Sequence, residues 1–150
     1  MRIVLQRVSQ ASVSIDNKII SAIKEGYLIL LGIEDADTSE DIKWLCNKTV
    51  KMRIFNDENG VMNLSLQDID GEALIISQFT LHASTKKGNR PGYIKAARPE
   101  VAIPLYEEFI REFEKTFGKK VGSGVFGADM KVSLLNDGPV TIVLDSKNKE

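Results

Sequence analysis

Hydrophobic and polar positions alternate along the first third of the chain, a period typical of β-strands. Residues Arg2–Ser9 alternate in this way, and two short β-rich runs, Ala11–Ile15 and Lys18–Ile23, flank Asp16-Asn17. The flanked Asp-Asn pair predicts a hairpin turn. The next run, Tyr27–Ile33, is apolar on both faces, which predicts a central strand covered on both sides.

Later segments change to the period of amphipathic helices. A first helix is predicted from a cap at Thr38 to about Met52, and a second from Pro99 or Pro104 to a stop at Gly118. Further strand-like runs are Ile54–Phe55, Val61–Met62, Ala73–Leu81, Lys131–Leu135 and Val140–Leu144. This order predicts one mixed α+β domain over residues 1–150, largely antiparallel, with two main helices.

Composition limits the chemistry that the chain can use. Its 150 residues fit one domain, and 43% of them are hydrophobic, which is enough for a buried core. One cysteine excludes an internal disulfide framework, and with one histidine it is too few for the usual zinc site. The formal net charge is −1, so a polyanionic partner must meet a local basic patch. No membrane-length apolar run or leader pattern occurs, and we therefore expect a cytoplasmic protein.

Three segments are candidates for function. Ser77–Thr80 ends an apolar strand, where backbone N–H groups can stabilise an oxyanion; the alternative is that its hydroxyls only cap the strand. Asn136–Thr141 contains Gly138-Pro139, either a simple turn or a rigid backbone prong. The third segment is a basic loop without acidic residues, either a solvated face or a phosphate-binding patch. Its cations are Lys86, Lys87, Arg90, Lys95 and Arg98.

Two side chains of catalytic type have structural alternatives. His82 is either a general base or an ordinary residue at a strand end. Cys46 lies on the apolar stripe of the first helix, where a free cysteine acts as a small hydrophobe.

Taken together, these motifs resemble the D-aminoacyl-tRNA deacylases, homodimeric proofreading enzymes that remove D-amino acids from tRNA. The resemblance is carried by the segments 77–81 (Ser-Gln-Phe-Thr-Leu) and 136–141 (Asn-Asp-Gly-Pro-Val-Thr). Residues 1–8, 87–91 and 124–130 also fit the family, so the likeness spans essentially the whole chain.

The resemblance implies a barrel-like core and an active site built mainly from backbone. Gly138 and Pro139, joined by a cis peptide bond, are expected to enter the pocket of a partner subunit. Their carbonyls would bind the α-amino group and exclude an L side chain, whereas glycyl-tRNA, including glycine mischarged on tRNA-Ala, would be a second substrate. Arg7 would brace this turn.

The same resemblance assigns the reacting end of the substrate to Ser77, Gln78, Phe79 and Thr80. The amides of Phe79 and Thr80 would hold the ester carbonyl oxygen, with Thr80 in a supporting rather than covalent role. The 2′-hydroxyl of the terminal adenosine would orient the attacking water.

The remaining expectations concern the RNA and the partners. Phe126 and Ala102 would flank the terminal adenine, and Lys86, Lys87 and Arg90 would seat the acceptor stem. The expected partners are tRNA and a second copy of the chain, with no metal, cofactor, membrane or other obligate protein. Two alternatives stay open: a non-catalytic nucleic-acid-binding protein, and a relative that prefers L-alanyl-tRNA through a trans Gly-Pro bond.

Overall fold

A computed structural model describes residues 1–150. Its strands are β1 (Arg2–Ile15), β2 (Lys18–Ile23), β3 (Gly26–Gly32), β4 (Phe55–Asn56), β5 (Met62–Leu64), β6 (Glu72–Ser77), β7 (Gly122–Ser123) and β8 (Lys131–Asp145). The helices are α1 (Ser39–Lys51), α2 (Pro99–Phe117) and a 3₁₀ turn (Phe79–His82). The predicted bounds of the first helix are confirmed, and the second begins at Pro99 rather than at Pro104.

The long first strand organises the sheet. Along one edge β1 pairs antiparallel with β3 through residues 2–8 and with β2 through residues 11–15. Along its other edge β1 pairs antiparallel with β8 over most of its length. The sheet continues from β3 to β6 and β7 by parallel pairing, giving the order β2-β1-β3-β6-β7 with β8 on the far side of β1. The result is the expected mixed α+β fold, a nearly closed, barrel-like sheet with two helices.

Apolar side chains cover both faces of the central strands. Tyr27, Ile29 and Leu31 of β3 belong to the larger core, in which α1 and α2 pack on the sheet. Leu28 faces the opposite way, into a smaller cluster with Leu74 of β6. The prediction of a central covered strand at 27–33 is therefore confirmed, because successive side chains of a strand point to opposite faces.

Two strand predictions need correction. Residues 131–145 form one continuous strand, so Gly138-Pro139 lies within β8 rather than in a turn between two strands. The run 73–81 is strand only to Ser77, and the 3₁₀ turn follows. In both places the extent of the strand follows from its pairing partner. β8 continues because β1 pairs with it on either side of residues 137–140, whereas β6 ends because its last partner, Leu31, pairs with Ser77.

A charged cluster ties the C-terminal segment to the start of α1. Asp41 accepts hydrogen bonds from the Thr38 amide and from Nζ of Lys147, both at 2.8 Å. Burial alone favours the neutral acid, but these bonds outweigh it and hold the pKa of Asp41 well below its usual range. The same contact raises the pKa of Lys147. The chain end is therefore fastened by an ion pair with a nearly buried carboxylate.

This contact predicts a loss of stability in acid. Because the pKa of Asp41 is lower in the folded chain than the unfolded value of about 3.9, the unfolded chain takes up the proton first as pH falls. Asp41→Asn should lower the free energy of unfolding at pH 7 by about 1–2 kcal/mol and flatten its decline between pH 5 and pH 3. Urea denaturation across that range measures both effects. Glu58→Gln, at an exposed turn position, is the control, and equal pH profiles for Asp41→Asn and the parent would contradict the prediction.

Candidate active site

The parallel pairing of β3 and β6 places the 77–80 segment at the edge of the sheet. After the last pair, Leu31 with Ser77, the Gln78 amide still donates to the Leu31 carbonyl at 2.7 Å. The chain then turns into the 3₁₀ turn, in which Nε2 of Gln78 donates to the Thr80 hydroxyl at 2.6 Å. The four predicted residues therefore form one ordered segment whose orientation follows from the end of β6.

The 3₁₀ turn is held from two sides. The Arg2 guanidinium donates to the Leu81 carbonyl at 2.7 Å while it pairs with the Asp145 carboxylate at 2.8 and 3.0 Å. On the other side Gly32 leaves no side chain in the way, because a Cβ there would lie 2.9 Å from Cβ of Leu81 and 3.1 Å from the Gln78 carbonyl oxygen. A larger residue at position 32 would displace the turn.

A cavity of about 330 Å³ opens beside this segment. Ser77, Gln78 and Phe79 line it, and so do Ala102 of α2 and Phe126 of the loop before β8. The remaining lining residues are seven apolar ones (Leu31, Ile33, Ile76, Ala97, Ala128, Met130 and Val132) together with Gly127 and Asp129. The structure thus brings five of the predicted site residues to one concave surface, which is mainly apolar with polar groups at the strand end.

Tyr106 positions the aromatic wall of this cavity. Its hydroxyl donates to the Ile75 carbonyl at 2.9 Å, and its ring lies 5.9 Å from that of Phe126. Burial raises the pKa of Tyr106 to about 12, so the hydroxyl stays protonated and keeps donating at neutral pH. Phe126 therefore rests on a fixed neighbour.

Gly138, Pro139 and Arg7 lie outside this cavity in the same chain. Gly138-Pro139 is a cis peptide bond on an exposed part of β8. The nearly buried Arg7 donates from Nε to the Asp137 carbonyl at 3.1 Å and from Nη1 to the Ile54 carbonyl at 2.7 Å. A Cβ at Gly138, whose φ is 124°, would lie 2.9 Å from Nη2 of Arg7. Arg7, a residue of β1, thus holds the Gly138-Pro139 segment of β8 in place.

The basic loop lies on the surface, with Lys86, Lys87 and Arg90 exposed. Backbone hydrogen bonds between Ser84 and Gly92 at 2.8 and 2.9 Å close its base. Beyond this pair, the ring of Tyr93 lies 5.1 Å from the ring of Phe79 in an edge-to-face arrangement. The loop is therefore joined to the 77–80 segment by an aromatic contact.

The two candidate side-chain nucleophiles and bases are enclosed. His82 is 4% exposed, and its Nε2 atom has no hydrogen-bond partner within the chain. Cys46 is fully buried between α1 and α2, and burial raises the pKa of its thiol. Neither side chain lines the cavity. This geometry agrees with the interpretation of Cys46 as a small hydrophobic core residue. It gives no support for His82 as a general base in the cavity.

Sequence reasoning missed part of the cavity wall and its rim. Asp129 and Met130 line the cavity, and Tyr93 contacts Phe79 at its mouth. The lining residues follow the glycine-rich stretch 122–127, and the aromatic lies within the basic window. Asp129 and Met130 also lie in the segment 124–130 that fits the family, whereas Tyr93 lies outside every segment that carries the resemblance.

Comparison with known proteins places this geometry in a family. The family model described as D-Tyr-tRNA(Tyr) deacylase matches residues 4–145. The chain belongs to this family. It is 66% identical over 150 residues to the D-aminoacyl-tRNA deacylase of Flavobacterium johnsoniae, covering 100% of both chains. It is 64% identical over 150 residues to the D-aminoacyl-tRNA deacylase of Bacteroides thetaiotaomicron, again covering 100% of both.

Solved structures give the same fold. A structure titled c-Myc DNA Unwinding Element Binding Protein is 40% identical, with a TM-score of 0.92 and coverage of 97% of this chain and 98% of that one. A structure titled as a probable eukaryotic D-amino acid tRNA deacylase has a TM-score of 0.82 and coverage of 95% and 97% at 19% identity, a likeness of fold alone. None of the helices in the deacylase-family chain is both long and apolar enough to cross a membrane.

Proposed function

We propose that this chain is a cytoplasmic, homodimeric proofreading hydrolase that cleaves the ester bond of D-aminoacyl-tRNA and releases the free D-amino acid and tRNA. The observation that carries the proposal is the cavity of about 330 Å³ beside the ordered 77–80 segment. Membership of the deacylase family over nearly the whole chain supports the same reaction.

Backbone groups at the strand end carry the proposed chemistry. The aminoacyl ester is already activated, so positioning and stabilisation of the oxyanion supply most of the catalysis. The amides of Phe79 and Thr80 hold the carbonyl oxygen, and the 2′-hydroxyl of the terminal adenosine orients the attacking water. Thr80 follows the lining residue Phe79 but does not itself line the cavity, and no imidazole or thiolate lines it either. Both observations support a positioning role for the Thr80 hydroxyl over a covalent one. Gln78 fixes the direction of that hydroxyl.

Chiral selection is proposed to come from the partner subunit. Gly138-Pro139 of one subunit enters the cavity of the other, where its carbonyls bind the α-amino group and leave no room for an L side chain. Such rejection by steric clash accepts many D side chains, and it admits glycine, including glycine mischarged on tRNA-Ala. The brace from Arg7 to Asp137 supports this role, because a prong that rejects by clash must not yield.

Exposed apolar side chains on β8 support the homodimer. Leu135 is 57% exposed and Val143 is 62% exposed, on either side of Gly138-Pro139 along the strand. A second copy that covers these side chains would remove their apolar surface from water, which favours association. A second copy seated there would bring Gly138-Pro139 towards a cavity that the same segment does not line in its own chain.

The terminal nucleotide and the acceptor stem have separate sites in this proposal. Phe126 and Ala102 flank the terminal adenine within the cavity that they line. Lys86, Lys87 and Arg90 contact phosphates without reading bases, which suits an enzyme that acts on many tRNAs. Binding through a few lysines and arginines should weaken as salt rises.

The direct test compares one tRNA charged with different amino acids. D-tyrosyl-tRNA should be hydrolysed about 100-fold or more faster than L-tyrosyl-tRNA, because the L side chain meets fixed backbone, and glycyl-tRNA should be cleaved as well. Release of the labelled amino acid measures the rates. Equal rates for the two enantiomers would overturn the proposal. A preference for L-alanyl-tRNA would instead favour the alternative that the chain is a relative specific for that substrate. Binding of charged tRNA without turnover would favour a nucleic-acid-binding protein.

The role of Thr80 is tested by removing its hydroxyl. Thr80→Ala should keep turnover of D-tyrosyl-tRNA within about tenfold of the parent, since the backbone amide remains, whereas loss of a covalent nucleophile costs about 10⁴-fold or more. Thr80→Ser is the matched control. If Thr80→Ala abolishes turnover and an acyl-enzyme is trapped on the parent chain, Thr80 is a covalent nucleophile and the proposed positioning role is wrong.

The dimer is tested by placing a charge on the exposed face of β8. Leu135→Glu should yield monomers in sedimentation experiments and remove most hydrolysis, because a lone chain lacks the partner's Gly138-Pro139 at its cavity. Val61→Glu is the matched control, since Val61 is also 57% exposed but lies in the turn before β5. Full activity in a monomeric Leu135→Glu chain would contradict the cross-subunit site.

A further inference from the structure

Next to the cavity, whose wall includes Phe79, the surface carries apolar side chains to which the proposed reaction assigns no role. Phe79 is 54% exposed, Tyr93 is 40% exposed and Ile94 is 97% exposed. The rings of Phe79 and Tyr93 are 5.1 Å apart at an interplanar angle of 74°. These three side chains form what we call the rim platform.

The rim platform is held in place by backbone contacts on both sides. Before it, Ser84 and Gly92 exchange hydrogen bonds at 2.8 and 2.9 Å; after it, the Ala97 amide donates to the Ile33 carbonyl at 2.9 Å. Between these anchors the Ala96 amide donates to the Tyr93 carbonyl at 3.0 Å, which closes a turn with Ile94 at its tip. The exposed side chains are therefore presented by fixed backbone.

Charge around the rim platform favours a polyanion. The window from residue 84 to residue 98 holds five cations and no acidic residue: Lys86, Lys87, Arg90, Lys95 and Arg98. Aromatic rings interleaved with lysine and arginine are the common surface for single-stranded nucleic acid, because every base has a face that can stack. An acidic protein surface would also meet the cations, but it lacks the regularly spaced planar bases that stack on exposed rings.

We propose that the rim platform binds the unpaired nucleotides immediately before the terminal adenosine of the tRNA, with one base stacked on Tyr93. This inference deepens the proposed function and rests on it. An aminoacyl ester held at Ser77–Thr80 brings the preceding nucleotides near the edge of the cavity at Phe79, whose ring contacts that of Tyr93. The cations beyond Tyr93 then meet the phosphates that follow.

The test uses two substrates that differ only in the preceding nucleotides. For Tyr93→Ala, the loss of kcat/KM on D-tyrosyl-tRNA should exceed the loss on the 3′-D-tyrosyl ester of adenosine by about tenfold, and it should fall mainly on KM. Tyr93→Phe should retain parental values on both substrates. Trp44→Leu is the matched control, since Trp44 is also flanked by lysines, Lys48 and Lys149, but lies on α1.

Each other outcome decides the question as well. Equal losses on the two substrates would overturn the inference, because Tyr93 would then act only by supporting Phe79. A change in sedimentation of Tyr93→Ala would also overturn it, in favour of a contact between subunits. If Tyr93→Ala does not fold, the largely uncovered Ile94→Ser replaces it, with an expected preferential loss of about threefold on the tRNA substrate.

A binding measurement separates this inference from the proposed function. A labelled single-stranded RNA ending in CCA should bind the parent chain, and Tyr93→Ala should raise its Kd about tenfold. If the parent hydrolyses neither substrate, the proposed function fails and this Kd alone decides the inference. An unchanged Kd, or no binding to the parent, would overturn it.

Discussion

Antiparallel pairing between β1 and β8 joins the first residues of the chain to the last strand, and both candidate functional segments depend on it. Arg2 and Arg7, five positions apart on β1, each donate to a backbone carbonyl of another segment. Arg2 reaches Leu81 in the 3₁₀ turn, and Arg7 reaches Asp137 beside Gly138-Pro139. A guanidinium suits this task because it offers several donors in a rigid plane and stays charged when partly buried. One strand thereby fixes the geometry of two distant pieces of backbone.

The proposed reaction requires such anchoring, because the groups that it assigns to catalysis belong mainly to the backbone. A catalytic side chain can be oriented by its rotamer, whereas a backbone amide moves only with the whole segment. Here the segment is fixed by the last pair of β6 with β3, by the Gln78 amide on Leu31 and by the close approach at Gly32. The enclosed positions of His82 and Cys46 agree with a site that uses neither an imidazole nor a thiolate. The chain also matches a D-aminoacyl-tRNA deacylase in sequence over its full length.

Local patterns predicted most of the fold, because each element has its own signal. The cap at Thr38, the apolar run 27–33 and the Asp16-Asn17 turn all have the predicted structure. The continuity of β8 through Gly138-Pro139 had no such signal, since it depends on β1, which is more than 100 residues away in sequence. The roles of the site residues were predicted by resemblance to a family, and the convergence of five of these residues on one cavity depends on tertiary contacts. Tyr93 was missed because an exposed aromatic in a polar loop becomes informative only beside Phe79.

The proposed selection against L-amino acids is consistent with the rigidity around Gly138. An apolar pocket separates ligands that differ by one methylene by only about 1–3 kcal/mol, so affinity for the D side chain cannot provide stringent proofreading across many amino acids. Exclusion by backbone is independent of the side chain that is excluded, provided that the backbone does not move. The nearly buried Arg7 donates to the Asp137 carbonyl on one side and to the Ile54 carbonyl on the other, so movement of the segment would take an acceptor away from a nearly buried charged donor. Such bonds are costly to lose. The brace therefore has the stiffness that selection by exclusion requires, and the cavity that accepts the ester can stay apolar and unselective.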